Sequence, residues 1–234
     1  MSLADLRHEY TISGLDRGDL DPDPLPQFEK WFGQVALTRS GSRFRQIGIA
    51  FYKLWQAVRG RTPVDVNAMT LATVRGDGVP SSRTVLLKGV DARGFIFFTN
   101  YESRKGRELN ANPNAALTFF WPELERQVCV AGTVSKLPVN ESEAYFRSRP
   151  RGSQLGAWAS NQSSAVEDRA ALEKQWQEAA ARFPRDIPMP PYWGGYVLSP
   201  NRIEFWQGRP NRLHDRFCYT RQPDGKWKLE RLSP

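Results

Sequence analysis

Hydrophobic positions along this chain change period three times. Near the start, PDPLPQFEKWFGQVAL sets Leu25, Phe28, Trp31, Phe32 and Val35 at helical spacing behind a proline-rich opening, which predicts an amphipathic helix. A second helical stripe, Phe44, Ile47, Phe51, Leu54, Trp55 and Val58, follows between Ser40 and Arg61. Beyond it the period shortens. AMTLATVR, SSRTVLLKGV, GFIFFTN, AALTFFW and RQVCVAGTVSKL are rich in Val, Thr, Phe and Leu and read as short strands, with turn residues in GDG (76–78) and DARG (91–94) between them. ESRKGRELNANP interrupts the series as a short helix. ESEAYFRSRP and SAVEDRAALEKQWQEAAARF also read as helices, the second with Leu172, Trp176 and Ala180 on one stripe. The chain then returns to strands in YWGGYVLS, RIEFWQG, RFCYTRQ and KWKLERL, with PDG as a hairpin turn.

Many sequential strands with few helices between them predict a mainly β fold with peripheral helices, an antiparallel barrel or sandwich rather than a βαβ sheet. The organisation expected is one domain overall. Residues 1–20 form a polar arm, 21–62 carry the first helix and the basic amphipathic stretch, and 63–234 form the body. At 234 residues, with 40% apolar and 25% charged positions, the chain is long enough to bury a proper core. Its net charge of +8 favours anionic partners without choosing among nucleic acid, lipid and phosphorylated small molecules. Cys129 and Cys218 belong to no metal or disulfide spacing, and no His/Asp/Glu cluster suggests a metal. The opening MSLADLRHEY lacks a secretory apolar core, and no apolar run approaches the roughly 18 residues of a membrane span, so a cytoplasmic setting is expected.

The cations are not scattered. Arg83 and Lys88 bracket an apolar strand, and Arg104 and Lys105 fall where a strand meets a helix, whose free N–H groups favour an anion. Solvated charges are the alternative reading for each pair taken alone. YFRSRPRGSQLGAWASNQSS adds Tyr145, Arg149, Ser153, Gln162, Ser163 and Ser164, a set suited to a phosphate and a flat ring; a polar loop capping helices is its alternative. EFWQGRPNRLHDR supplies Trp206, Arg212, His214 and Arg216, and the cations beside His214 are expected to lower its proton affinity. Asp215 is adjacent to His214, so the two should face opposite ways and form no triad. GDG lacks the rest of a dinucleotide fingerprint, and there is no Walker loop. Such a site binds and orients anions, and a cofactor would carry any difficult chemistry.

In order along the chain, RTVLLKGVD, GFIFFTNYESRKGREL, LERQVCVAGTVSKL, YFRSRPRGSQLGAWASNQSS, WGGYVLSP and IEFWQGRPNRLHDRF resemble the pyridoxamine/pyridoxine 5′-phosphate oxidase family, with LRHEY and DPLPQFEKW matching near the start. The resemblance implies an FMN-binding split β-barrel, Greek-key-like, working as a homodimer with FMN at the subunit interface. It implies FMN contacts from Arg83, Thr84, Val85, Leu86, Leu87 and Lys88, then Phe98, Thr99, Arg104 and Lys105, and from Gln127, Gln162, Ser163, Trp206 and Arg216. Around the substrate it implies Lys88, Tyr145, Arg149 and Ser153 at the phosphate, and Arg212, Leu213 and His214 at the reacting ring. Arg7, His8, Glu9 and Tyr10 form an arm that closes over it. The implied reaction is oxidation of pyridoxine or pyridoxamine 5′-phosphate to pyridoxal 5′-phosphate by O2, releasing H2O2, with Arg212 and His214 assisting proton removal; nucleic acid and membrane are not expected as partners. Another flavin enzyme of the same barrel class, or a basic nucleic-acid-binding barrel, is the competing reading. Arg83 and Lys88 are five residues apart and would face opposite sides of a regular strand, so a bulge, a twist or a strand end is needed. The stretch from Ser40 to Arg61, with five basic residues and no acid, is an expected departure from the family pattern.

Overall fold

The computed structural model describes residues 9–40 and 65–234; the predicted stripe from Phe44 to Val58, together with Arg7 and His8, lies outside the described residues. Helix α1 (Pro24–Ser40) opens on Asp23, whose Oδ1 accepts from the Leu25 amide at 2.9 Å. Its predicted stripe is the buried one: Phe28, Trp31 and Val35 enter the main core, with Leu25 and Phe32 packed at its edge.

The strands are β1 (Ala68–Val74), β2 (Pro80–Leu86), β3 (Gly89–Asp91), β4 (Gly94–Asn100), β5 (Asn114–Trp121), β6 (Arg126–Lys136), β7 (Trp193–Gln207), β8 (Asp215–Arg221) and β9 (Trp227–Leu232). All pairings are antiparallel, in the order β2-β1-β5-β6-β7-β4-β3, with β8 on β7 and β9 on β8. The sheet curls into a half-barrel around Leu71, Phe97, Phe119, Val128 and Phe205.

YWGGYVLS and RIEFWQG, expected as two strands, are one. Strand β7 runs through Pro200 because that proline stands opposite Gly132 at a register shift in β6, a position where a ladder N–H is dispensable. The first half of β7 pairs with β4 and the second with β8.

Helices α2 (Arg104–Ala111), α3 (Val139–Ser148), α4 (Arg151–Ala159) and α5 (Arg169–Arg182) lie around this sheet. The segment now seen as α4, for which a polar loop is the alternative sequence reading, holds Gly152, Ser153 and Gly156, which are poor helix formers. A second, smaller core of Phe146, Leu155, Ala179, Ile187 and Trp193 fastens α3, α4 and α5 over the start of β7. The stripe expected on α5 is not the buried face: Leu172 and Trp176 remain 37% and 41% exposed, Ala180 is half-buried at the edge of the second core, and the buried residue is its neighbour Ala179.

Candidate active site

A cavity of 620 Å³ opens between β2, the end of β4, α2 and the α3–α4 pair. Arg83, Thr84, Val85 and Leu86 line it from β2. Lys88 lines it from just beyond the strand. The spacing problem between Arg83 and Lys88 is solved by that strand end: Leu87 turns into the core, and Lys88 comes back to the cavity. Leu87 thus presents no side chain to this space.

Phe98 and Thr99 close the β4 side. Glycine at 195 lets β7 come close, since a Cβ there would sit 2.8 Å from Phe98 Cε1. Phe98, Tyr145 and Trp193 form a stack, with ring centroids 3.9 Å apart for Phe98–Tyr145 and 5.5 Å for Phe98–Trp193. Trp193 carries no sequence signal that sets it apart from the chain's other aromatics. Arg149, at the end of α3, lies 4.8 Å over the Trp193 ring, and its buried Nη1 has no hydrogen-bond partner. Ser153, in the first turn of α4, lines the same wall.

Lys105 is the deepest cation, only 8% exposed, and Nζ donates to Gln162 Oε1 at 2.9 Å and Thr99 Oγ1 at 3.2 Å. Burial, and then the neighbouring Arg83 charge, push its pKa down to about 8 against the pull of Glu108. Glu108, unmarked by any sequence signal beyond its place in RKGREL, is the hub behind this wall. Its Oε2 accepts from Arg83 Nη2 at 2.9 Å, Ser81 Oγ at 2.6 Å and Thr73 Oγ1 at 2.5 Å, and its Oε1 accepts from Arg104 Nε at 2.9 Å. Burial alone would raise its pKa; those donors outweigh burial and hold it at about 2. Arg104 is therefore engaged with Glu108 and does not line the cavity, and Ser163, exposed at a φ of 74°, does not line it either.

A second cluster occupies the far end of β7. Gln127, Trp206 and Arg216 are direct partners across β6, β7 and β8, so they form one row on the outer face while Val128, Phe205 and Phe217 point to the core. Arg216 is fixed by Glu204 Oε1 at 2.8 Å and the Ser233 carbonyl at 2.8 Å. Tyr10 packs edge-on against Trp206 and His214, a contact that needs Gly208, where a Cβ would sit 2.6 Å from Tyr10 Cγ. Glu9 is exposed at the described start of the arm. Between Trp206 and β8 the chain makes a tight turn in which Asn211 and Arg212 both adopt left-handed φ, 56° and 60°, leaving Arg212 and Leu213 exposed. His214 Nδ1 accepts from the Arg209 amide at 3.1 Å. Its proton affinity is lowered, first by burial and second by Arg212, with Asp215 opposing; cations alone, as read from the sequence, are not the main cause. Asp215 faces away, accepting from the Leu15 amide at 3.0 Å and Arg231 Nη1 at 2.7 Å.

The sequence-predicted residues therefore divide into two groups: among the described residues, Gln127, Trp206, Arg212, His214 and Arg216 do not line the 620 Å³ cavity. Among the described residues no His/Cys/Asp/Glu group is arranged to hold a metal, and no helix is long and apolar enough to cross a membrane.

An antiparallel half-barrel carrying a cationic, ring-lined cleft defines the class of FMN-binding split barrels. A pyridoxamine 5′-phosphate oxidase family model matches residues 56–183, and a pyridoxine 5′-phosphate oxidase C-terminal dimerisation region matches 193–234. The chain belongs to the pyridoxamine 5′-phosphate oxidase family. It is 54% identical to pyridoxine/pyridoxamine 5′-phosphate oxidase 1 of Ralstonia nicotianae, covering 100% of this chain and 99% of the relative. It is 51% identical, over the same shares, to the pyridoxine/pyridoxamine 5′-phosphate oxidase of Burkholderia lata. Among solved structures it is similar to PhzG of Burkholderia lata in complex with tetrahydrophenazine-1-carboxylic acid, with a TM-score of 0.80, 29% identity, and 95% and 99% of the two chains covered. It also shares its fold with a pyridoxamine 5′-phosphate oxidase-related, FMN-binding protein of Nostoc punctiforme, with a TM-score of 0.61, 20% identity, and 81% and 100% covered. FMN is the cofactor. The residues present fit it: buried Lys105, with the Arg83 guanidinium near it at the same cavity, suits an anion, and the cleft is walled by flat rings.

Proposed function

We propose that this protein oxidises pyridoxine 5′-phosphate and pyridoxamine 5′-phosphate to pyridoxal 5′-phosphate, with O2 as acceptor and H2O2 as by-product, in a homodimer whose site is shared by two chains. The observation that carries this reading is the presence of two separate anion seats in one cleft. Lys105 and Arg83, on α2 and β2, suit the FMN phosphate; Arg149 and Ser153, from the α3–α4 side, with Lys88 from just beyond β2, suit the substrate phosphate. FMN supplies the hydride acceptor and the reactivity with O2. The chain's own residues hold the phosphates, align the rings and keep water from the cleft.

The second cluster belongs to the same site on this reading, contributed by the other subunit. From Trp193 to Trp206 strand β7 extends for up to about 40 Å, far more than one 620 Å³ cavity spans. The dimerisation region covers Trp206, Arg212, His214 and Arg216. A second copy would bring this row to the cleft, with Arg212 and His214 at the substrate ring.

The likeness to PhzG raises a phenazine-type carboxylate as the rival substrate. Identity favours the phosphate ester: within Burkholderia lata, the chain is 51% identical to the named oxidase and 29% identical to PhzG. The test is to incubate the FMN-loaded protein in air with pyridoxine 5′-phosphate and, separately, with a reduced phenazine carboxylate. Stoichiometric pyridoxal 5′-phosphate and H2O2 are expected from the first. A yellow protein inert toward the phosphate esters would refute the reading.

A further inference from the structure

The turn that carries His214 fixes more than its position. A main-chain N–H can only donate, so the 3.1 Å contact from the Arg209 amide requires a lone pair on Nδ1. A neutral imidazole with its lone pair there carries its proton on Nε2. Tyr10 and Trp206 pack against the ring, at centroid distances of 5.6 and 4.8 Å, and restrain its orientation. Among the described residues no carboxylate competes for Nδ1, because Asp215, the acid beside it, is committed to Leu15, Arg231 and Arg209.

We propose that the main-chain amide of Arg209 is a positioning group that locks His214 in the Nε2–H tautomer, so that His214 meets the substrate as a hydrogen-bond donor and not as a base. A base at this position would need an open lone pair facing the ligand. Nε2 already bears its proton, and Nδ1 can take one only by giving up the Arg209 contact, which would set two N–H groups against each other. Burial and the nearby Arg212 charge act in the same direction, disfavouring the doubly protonated ring. The ligand atom that His214 contacts is therefore an acceptor, an oxygen or ring nitrogen with a free lone pair. The proton lost from the substrate's hydroxyl or ammonium group leaves by a route other than this imidazole. The placement of His214 at the substrate rests on the function proposed above, but its tautomer does not.

The test begins with two-bond 1H–15N correlation spectra of the FMN-loaded protein without substrate. The chain has two histidines, so the pattern lost in His214→Gln belongs to His214. A protonated Nε2 with a bare Nδ1 is expected. A Nδ1–H ring, or averaging between tautomers, would overturn the assignment whatever the substrate proves to be. Arg209→Ala keeps the amide and should leave the pattern unchanged; a switch of tautomer would show that the side chain, not the amide, is in control. Kinetics give the second readout. His214→Gln retains a donor close to the Nε2 position, whereas His214→Asn can satisfy the Arg209 amide but offers no donor at that reach. The His214→Gln protein is expected within about tenfold of the native kcat/KM, and the His214→Asn protein at least about tenfold lower still. Equal losses in the two variants, each checked for retained flavin and dimer, would indicate a base and refute the proposal.

Discussion

Lys105→Met should make two pH dependences disappear that run in opposite directions in the native protein. Lys105 is buried beside Arg83, and its pKa falls from 10.5 to about 8. A base whose pKa is lowered on folding costs the folded state stability wherever the unfolded chain would be charged. That cost is full below pH 8 and is relieved as pH climbs toward 10.5. At about 1.4 kcal/mol per unit, the FMN-free protein should gain about 2 kcal/mol from this group between pH 8 and 9.5. A bound phosphate reverses the preference, because it stabilises the charged amine. FMN affinity should therefore fall by about 1.4 kcal/mol per pH unit above 8, roughly thirtyfold by pH 9.5. At pH 7 the substitution removes one charge-assisted contact, an affinity loss of about 1.5–3 kcal/mol. Quenching of FMN fluorescence gives the affinity, and chemical denaturation of FMN-free protein gives the stability, each for the native and Lys105→Met proteins across pH 7–9.5. If the two proteins keep parallel pH profiles, or if Lys105→Met binds FMN normally at pH 7, Lys105 does not hold the cofactor phosphate.

Glu108→Gln should destabilise the protein at neutral pH. The folded pKa of about 2 lies below the ordinary 4.5, so the contribution, about 3 kcal/mol, is present above pH 4.5 and lost as pH falls toward 2. Denaturation midpoints of the two proteins should converge in that acid window. Arg149→Ala should stay yellow yet raise the KM for pyridoxine 5′-phosphate about ten- to a hundredfold, with no rescue by added FMN; a colourless protein with a normal KM would reverse the assignment of the two anion seats. Shared sites make a sharper demand. Lys105→Met and Arg216→Ala homodimers should both be impaired, but subunits remixed from the two should recover about a quarter of native activity, because half the dimers are mixed and each has one intact site. No recovery on confirmed remixing would mean that each site is complete within one chain.

The fold was largely legible because its signals are local. Strand runs, the turn glycines at 78, 94 and 225, and the α1 stripe each report their own geometry. The errors came where tertiary context overrides local chemistry. Pro200 looks like a break between strands, but its partner across the sheet is Gly132 at a bulge, which no local pattern reveals. The segment of α4 carries three poor helix formers, Gly152, Ser153 and Gly156. It is helical because Leu155 fills the second core and Trp158 Nε1 donates to the Pro188 carbonyl at 2.8 Å, contacts made by residues some thirty positions away.

The site was legible in its parts and not in its wiring. Cations and aromatics reveal themselves as residue types, so Arg83, Lys88, Lys105, Arg149 and Tyr145 were found, and they do meet in one cavity. What controls them is less visible. Glu108 looks like an ordinary helix-surface acid in RKGREL, yet four donors converge on it, and it is the reason Arg104 points away from the cavity while Arg83 is held at its wall. His214 was found as a rare residue in a dense cationic run, but its chemical role follows from a backbone amide, which every residue except proline possesses and no sequence pattern marks. The same limit applies to the two clusters. A motif series read along one chain gives no sign that its members stand at opposite ends of a single strand, and on the shared-site reading proposed above that separation makes a second copy of the chain part of the chemistry rather than an accessory to it.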